Sequence, residues 1–245
     1  MDWLGLGLVG LAGTLLILLA RIRSRKAANL RHIPGLTQLH RAFGLSVEDG
    51  TRLLVAIGGQ SLLTRNGGAA LAGLGLLREI TSQASVSDRP PIAVTGESAL
   101  ALLSQDTLQA GYRTIGAQEY YQPTTGRLAG LSPFSSAAAT ISMLDDEHVS
   151  VAALIGHFGV EAALLADAAD RSNVILIGAT DEPAAQAALY ASASEALIGE
   201  ELFAAPAYFA GSPVPTASLA VEDILRWTTV AALLFGVVLR LLGLF

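Results

Sequence analysis

Four short apolar runs, each closed by glycine and followed by a longer stretch with helical periodicity, constrain this chain more than any other feature. They are residues 53–57 before Gly58 and Gly59, 92–95 before Gly96, 151–155 before Gly156, and 174–177 before Gly178. The stretches between them that fit helices are 69–83, 98–115, 160–171 and 182–191. Strand then helix, repeated, implies parallel strands joined by crossovers, and near-continuous apolar strands are those buried on both faces. The expectation is a small Rossmann-like, mainly parallel α/β sheet flanked by helices. Thr180-Asp181-Glu182-Pro183 reads as a helix start, with Asp or Thr as N-cap and proline in the first turn. Residues 118–148 break the rhythm with Pro123-Thr124-Thr125-Gly126 and a run of small residues over 135–140, and read as an insertion. Residues 197–215 read as loop and short elements, after which a helix from near Ser218 continues into the last apolar run.

The two ends are apolar. Residues 3–20 rise about 27 Å as a helix, against a bilayer core of about 30 Å, and residues 227–245 are of similar length. One transmembrane helix is therefore expected at each terminus. Six of the fifteen basic residues, Arg21, Arg23, Arg25, Lys26, Arg31 and Arg41, follow the first run, whereas Asp2 precedes it; this favours an uncleaved anchor over a signal peptide. Trp3, Arg21, Arg23, Arg25, Lys26, Arg226 and Trp227 are the expected membrane-anchoring residues, and Arg240 is close enough to the end to snorkel. The implied organisation is a membrane helix over 1–20, a basic juxtamembrane connector over 21–50 with a short helix at 36–43, an α/β domain over 51–217, and a helix over 218–245. The basic collar places the domain in the cytoplasm and both termini outside an inner (plasma) membrane.

Between Thr51 and Leu225 there are seven basic and eighteen acidic residues, a net charge of −11. Such a body repels phosphate backbones, so no nucleic-acid partner is expected. The chain has no cysteine, which excludes disulfides, thiolate catalysis and Cys-ligated zinc.

Ligands of open α/β sheets bind beyond the carboxyl ends of the strands. That rule nominates Gly96, Glu97, Ser98, Gly156, His157, Gly159, Thr180 and Asp181 as ligand-binding residues. Gly156 and Gly159 could let a backbone approach a phosphate at a helix N-terminus. Ordinary strand-to-helix turns are the favoured explanation of them, and neither the full dinucleotide pattern nor a Walker lysine is present, so no cofactor is expected. Ser98, His157 and Asp181 would form a nucleophile, base and orienter if they converged, but no nucleophile elbow surrounds Ser98, which also fits a helix N-cap. Asp145-Asp146-Glu147-His148 offers hard ligands that could hold a cation with His157; a solvated turn before the next strand explains them as well, and no metal is expected. His32 and His40 lie near the basic collar, against headgroups or a core edge.

Several stretches together resemble a known family: Ile33-Pro34-Gly35-Leu36, Leu39-His40-Arg41-Ala42-Phe43-Gly44, Glu48-Asp49-Gly50-Thr51-Arg52, Ser87-Asp88-Arg89-Pro90-Pro91, Leu103-Ser104-Gln105-Asp106-Thr107-Leu108, Leu154-Ile155-Gly156-His157-Phe158-Gly159 and Leu197-Ile198-Gly199-Glu200-Glu201-Leu202-Phe203. The chain is similar over nearly its whole length to uncharacterised two-helix membrane proteins of Chloroflexota-like bacteria, known only as a domain of unknown function. The resemblance implies no activity and no site residues.

Two functions are compatible with these features. The first is a membrane-anchored module, not an enzyme, that self-associates as a scaffold or an accessory subunit of a larger membrane complex; its partners would be the lipid bilayer and further copies of itself. The second is a Rossmann-like domain that binds a nucleotide or other small ligand, with or without catalysis.

Overall fold

The computed structural model describes residues 30–59, 66–84, 89–209 and 213–241, together with 7, 10, 12–18, 21, 62 and 64. One compact unit comprises Arg31–Phe209, and a second comprises Met1–Leu30 with Ala210–Phe245.

In the first unit, helices and strands follow in the order α1 (Pro34–Glu48), β1 (Arg52–Gly58), α2 (Gly67–Ala84), β2 (Ile92–Thr95), α3 (Ser98–Thr114), β3 (Gly126–Leu128), α4 (Pro133–Asp146), β4 (Val149–Gly156), α5 (Glu161–Arg171), β5 (Ile175–Thr180), α6 (Pro183–Ser192), β6 (Glu195–Leu197) and α7 (Glu201–Phe209). The six strands form one parallel sheet in the order β3-β2-β1-β4-β5-β6. Each of the four expected apolar runs is a central strand. Their side chains alternate between two cores, as strand geometry requires. Leu53, Val55 and Ile57 join the core under α1, α2, α3 and α7, while Leu54 and Ala56 join the core under α4, α5 and α6. Each fully buried Leu or Ile contributes about 1.5–3 kcal/mol.

Residues 118–148 belong to the sheet. After two short 3-10 turns they supply the edge strand β3 and the crossover helix α4. Helix α4 starts on a capping box in which the Ser132 hydroxyl accepts from the Ser135 N–H and the Ser135 hydroxyl accepts from the Ser132 N–H. Helix α1 extends beyond the expected 36–43 and joins the core through Leu36, Leu39, Ala42 and Phe43. His40 stacks on Phe209 with ring centroids 5.2 Å apart, and the His32 ring meets the Thr37 hydroxyl at 3.3 Å. At the amino edge of the sheet, Glu147 accepts hydrogen bonds from Arg52 and from Arg127, the latter at 2.5 Å, tying β1 and β3 to the turn before β4.

In the second unit, α8 (Pro213–Leu241) is one unbroken helix of 29 residues, as expected past Ser218. The expected transmembrane helices are corrected here: among the described residues, no helix is long and apolar enough to cross a membrane. Helix α8 carries Glu222, Asp223 and Arg226 in its first half and Arg240 in its last turn. Arg226, taken for an interfacial anchor, pairs with Asp223 at 2.9 Å, and Trp227 is exposed. Residues 12–18 and Arg21 are helical. The rest of the expected N-terminal span, with Trp3, Arg23, Arg25 and Lys26, lies outside the described residues.

Candidate functional site

The order 3-2-1-4-5-6 reverses direction between β1 and β4, and the crevice beyond the carboxyl ends of those strands is where such sheets bind ligands. Gly58 and Gly156 are paired in register at that point. The His157 N–H donates to the Gly58 carbonyl at 3.1 Å, folding the turn after β4 over the end of β1. A Cβ on Gly58 would lie 2.6 Å from the His157 carbonyl oxygen, and one on Gly156, whose φ is +134°, would lie 2.2 Å from the Gly58 oxygen. Only glycine accepts that approach. The glycines of β1 and β4 close the backbone against itself, as a strand-to-helix turn requires.

Residues after β5 fix the same turn. The buried Thr180 hydroxyl donates to the Phe158 carbonyl and accepts from the Phe158 N–H, both at 3.1 Å, and it also accepts from the Glu182 N–H at 3.3 Å. Asp181 Oδ1 lies 2.7 Å from His157 Nδ1. A carboxylate only accepts, so Nδ1 carries the hydrogen, and in the neutral ring Nε2 is then the acceptor. The Asn66 amide nitrogen stands close to both ring nitrogens, 3.2 Å from Nδ1 and 3.3 Å from Nε2. Asp181 thus keeps the hydrogen on Nδ1 of an imidazole whose side chain is only 14% exposed.

In front of this turn lies a cavity of about 340 Å³. Its floor is the carboxyl ends of β1, β2 and β4, and its walls are the starts of α4 and α5. Ser132, Ser136 and Thr140 bring hydroxyls from α4, and Glu161, a residue 9% exposed, brings a carboxylate. Glu161 Oε1 accepts from the Gly159 N–H at 2.8 Å. Thr140 donates its hydroxyl hydrogen to the Ser136 carbonyl at 2.8 Å, which leaves its oxygen as an acceptor. Among the described lining residues there is no lysine or arginine.

Of the residues nominated by the strand-end rule, Gly96, His157 and Gly159 line the cavity, and Gly156, Thr180 and Asp181 support it from behind. Glu97 and Ser98 stand outside the lining. Glu97, not Ser98, is the N-cap of α3, its carboxylate accepting from the Leu100 N–H at 2.7 Å, and Ser98 is exposed in the first turn. At the start of α6 the N-cap is Glu182, rather than Thr180 or Asp181. The Ser98-His157-Asp181 triad does not assemble. Its His157–Asp181 half forms, but β1 separates β2 from β4 and puts their ends about 10 Å apart. No metal cluster occurs among the described residues. His148 precedes β4 and His157 follows it, a separation of about 30 Å along an extended strand.

Ser132, Ser136, Thr140 and Glu161 were missed. The first three fell in the supposed insertion, where the Ser132-Pro133 start and the four-residue spacing of Ser136 and Thr140 were available as a helix signal. Glu161 reads in sequence as an ordinary acid in a first helical turn.

No curated protein and no solved structure matches the chain. One family does, described as a domain of unknown function, and the match runs over residues 2–245. With all but the first residue inside that match, the chain belongs to the family Domain of unknown function (DUF6754).

Proposed function

We propose that the Arg31–Phe209 unit binds a small polar molecule in the cavity beside His157. The observation that carries this reading is the cavity's position at the strand reversal of a doubly wound sheet, next to an imidazole whose Nδ1 is held by Asp181. Its volume lies at the lower end of small-molecule pockets, about 300–1,000 Å³. A ligand that binds only the folded state raises its stability. The test is a metabolite panel screened on the full-length chain by thermal shift, with hits followed by nitrogen-15 NMR. A ligand that stabilises the wild type and loses that effect in His157→Ala supports the reading; a panel without any saturable hit counts against it.

Self-association is the second reading, and Leu131 and Phe134 favour it. Both are exposed at the start of α4, at 79% and 57%, where they offer apolar surface for burial against a further copy. Light scattering of the full-length chain at micromolar concentration tests it, and a monomeric mass would remove it.

A further inference from the structure

We infer that the cavity selects ligands carrying a protonated amine and turns away phosphate esters; this rests on the binding reading above. A Rossmann-like strand edge ordinarily draws anions because helix N-termini leave N–H groups pointing at it. Here the chain's own carboxylates occupy two of those seats. Glu161 takes the Gly159 N–H at the start of α5, and Glu97 takes the Leu100 N–H at the start of α3. A phosphate approaching either turn meets a carboxylate where it needs a donor.

An amine meets the opposite arrangement. Glu161 lines the cavity as a residue only 9% exposed, so a cation beside its carboxylate forms a charge-assisted hydrogen bond largely shielded from water. Thr140 presents a second acceptor, because its hydrogen is committed to the Ser136 carbonyl. Glu161 and Thr140 thus offer acceptors to the space, and an ammonium group supplies donors alone.

Three matched probes test this on the full-length chain: phenethylamine, 2-phenylethanol and phenyl phosphate, titrated by nitrogen-15 NMR. The amine should bind about tenfold or more tighter than the alcohol, with phenyl phosphate weakest. Glu161→Gln keeps a carbonyl oxygen for the Gly159 N–H and removes the charge. It should bring the amine-to-alcohol ratio close to one and improve phenyl phosphate binding, whereas a purely structural role for Glu161 would leave the ratio unmoved. Phenyl phosphate binding as tightly as the amine in the wild type would overturn the inference and leave the ligand-binding reading standing. Absence of saturable shifts with all three at millimolar concentration would overturn both. If Glu161→Gln fails to fold, the wild-type ratios decide alone.

Discussion

Gly58→Ala should destabilise the sheet where it reverses, by an amount that can be worked from the geometry. Gly58 does not have a positive φ, so alanine meets no backbone strain there and the effect is steric. The new methyl would sit 2.6 Å from the His157 carbonyl oxygen and 2.6 Å from a Phe158 ring carbon, about 0.8 Å inside the 3.4 Å at which ordinary contact begins. The turn must lift away. Overpacking of this kind costs about 1–3 kcal/mol, and loss of the His157 N–H to Gly58 bond adds about 1 kcal/mol. The expected loss is about 2–4 kcal/mol, a large share of the roughly 5–15 kcal/mol that holds a domain together. Urea unfolding followed by far-UV circular dichroism measures it, with Gly44→Ala as the control. Gly44 lies inside α1 with nothing within 4 Å of its virtual Cβ, so the same chemical change should stabilise by about 0.5–1 kcal/mol. Removing the ring should relieve part of the clash. Gly58→Ala with Phe158→Ala should then cost less than the two changes summed, by about 0.5 kcal/mol or more. A Gly58→Ala midpoint equal to wild type, or strict additivity in that pair, would refute the close approach on which the site geometry depends.

Asp181→Asn should leave the fold intact and shift the His157 ring nitrogen signals in NMR, because an amide can donate to Nδ1 and move the hydrogen to Nε2; unchanged signals would mean that Asp181 does not set the tautomer. Glu147→Gln should cost about 2 kcal/mol in urea unfolding, since it leaves Arg52 and Arg127, at 18% and 29% side-chain exposure, without their shared anion; a loss below about 0.5 kcal/mol would place the cluster with exposed ion pairs. Burial pushes the Tyr112 phenol above its ordinary value, with Arg52 opposing and Tyr121 adding to the shift. The unfolded chain then releases that proton first, so stability should fall as pH rises above about 10, and Tyr112→Phe should flatten the fall in alkaline melts.

The central strands were readable because each couples an apolar run to a closing glycine, and both signals have one cause, burial on two faces followed by a sharp turn. The edge strands β3 and β6 were not, since three residues carry no period. Without β3, residues 118–148 had no role in the sheet, and the wall that α4 gives the cavity disappeared with it. The strand-end rule brought His157 and Asp181 together correctly, because β4 and β5 are neighbours. It wrongly added Ser98, because the order of β2, β1 and β4 is long-range information. At the C-terminus the apolar residues were real, but the helix that holds them begins at Pro213 and takes in Glu222, Asp223 and Arg226.

Fold and chemistry separate most clearly at the α5 turn. A doubly wound sheet dictates that a cavity opens beside Gly58 and Gly156, but not the sign of the charge it will accept. That sign rests on Glu161, because a single carboxylate about 5 Å from a ligand charge is worth about 3 kcal/mol at an effective dielectric of 20. About 3 kcal/mol is roughly a hundredfold in affinity, more than the shape of so open a crevice can discriminate. The surrounding acidic body acts in the same direction at longer range, where salt screens it over about 8–10 Å. Raising ionic strength should therefore weaken the body's contribution to amine binding first and leave the contact with Glu161, 9% exposed, as the part that persists.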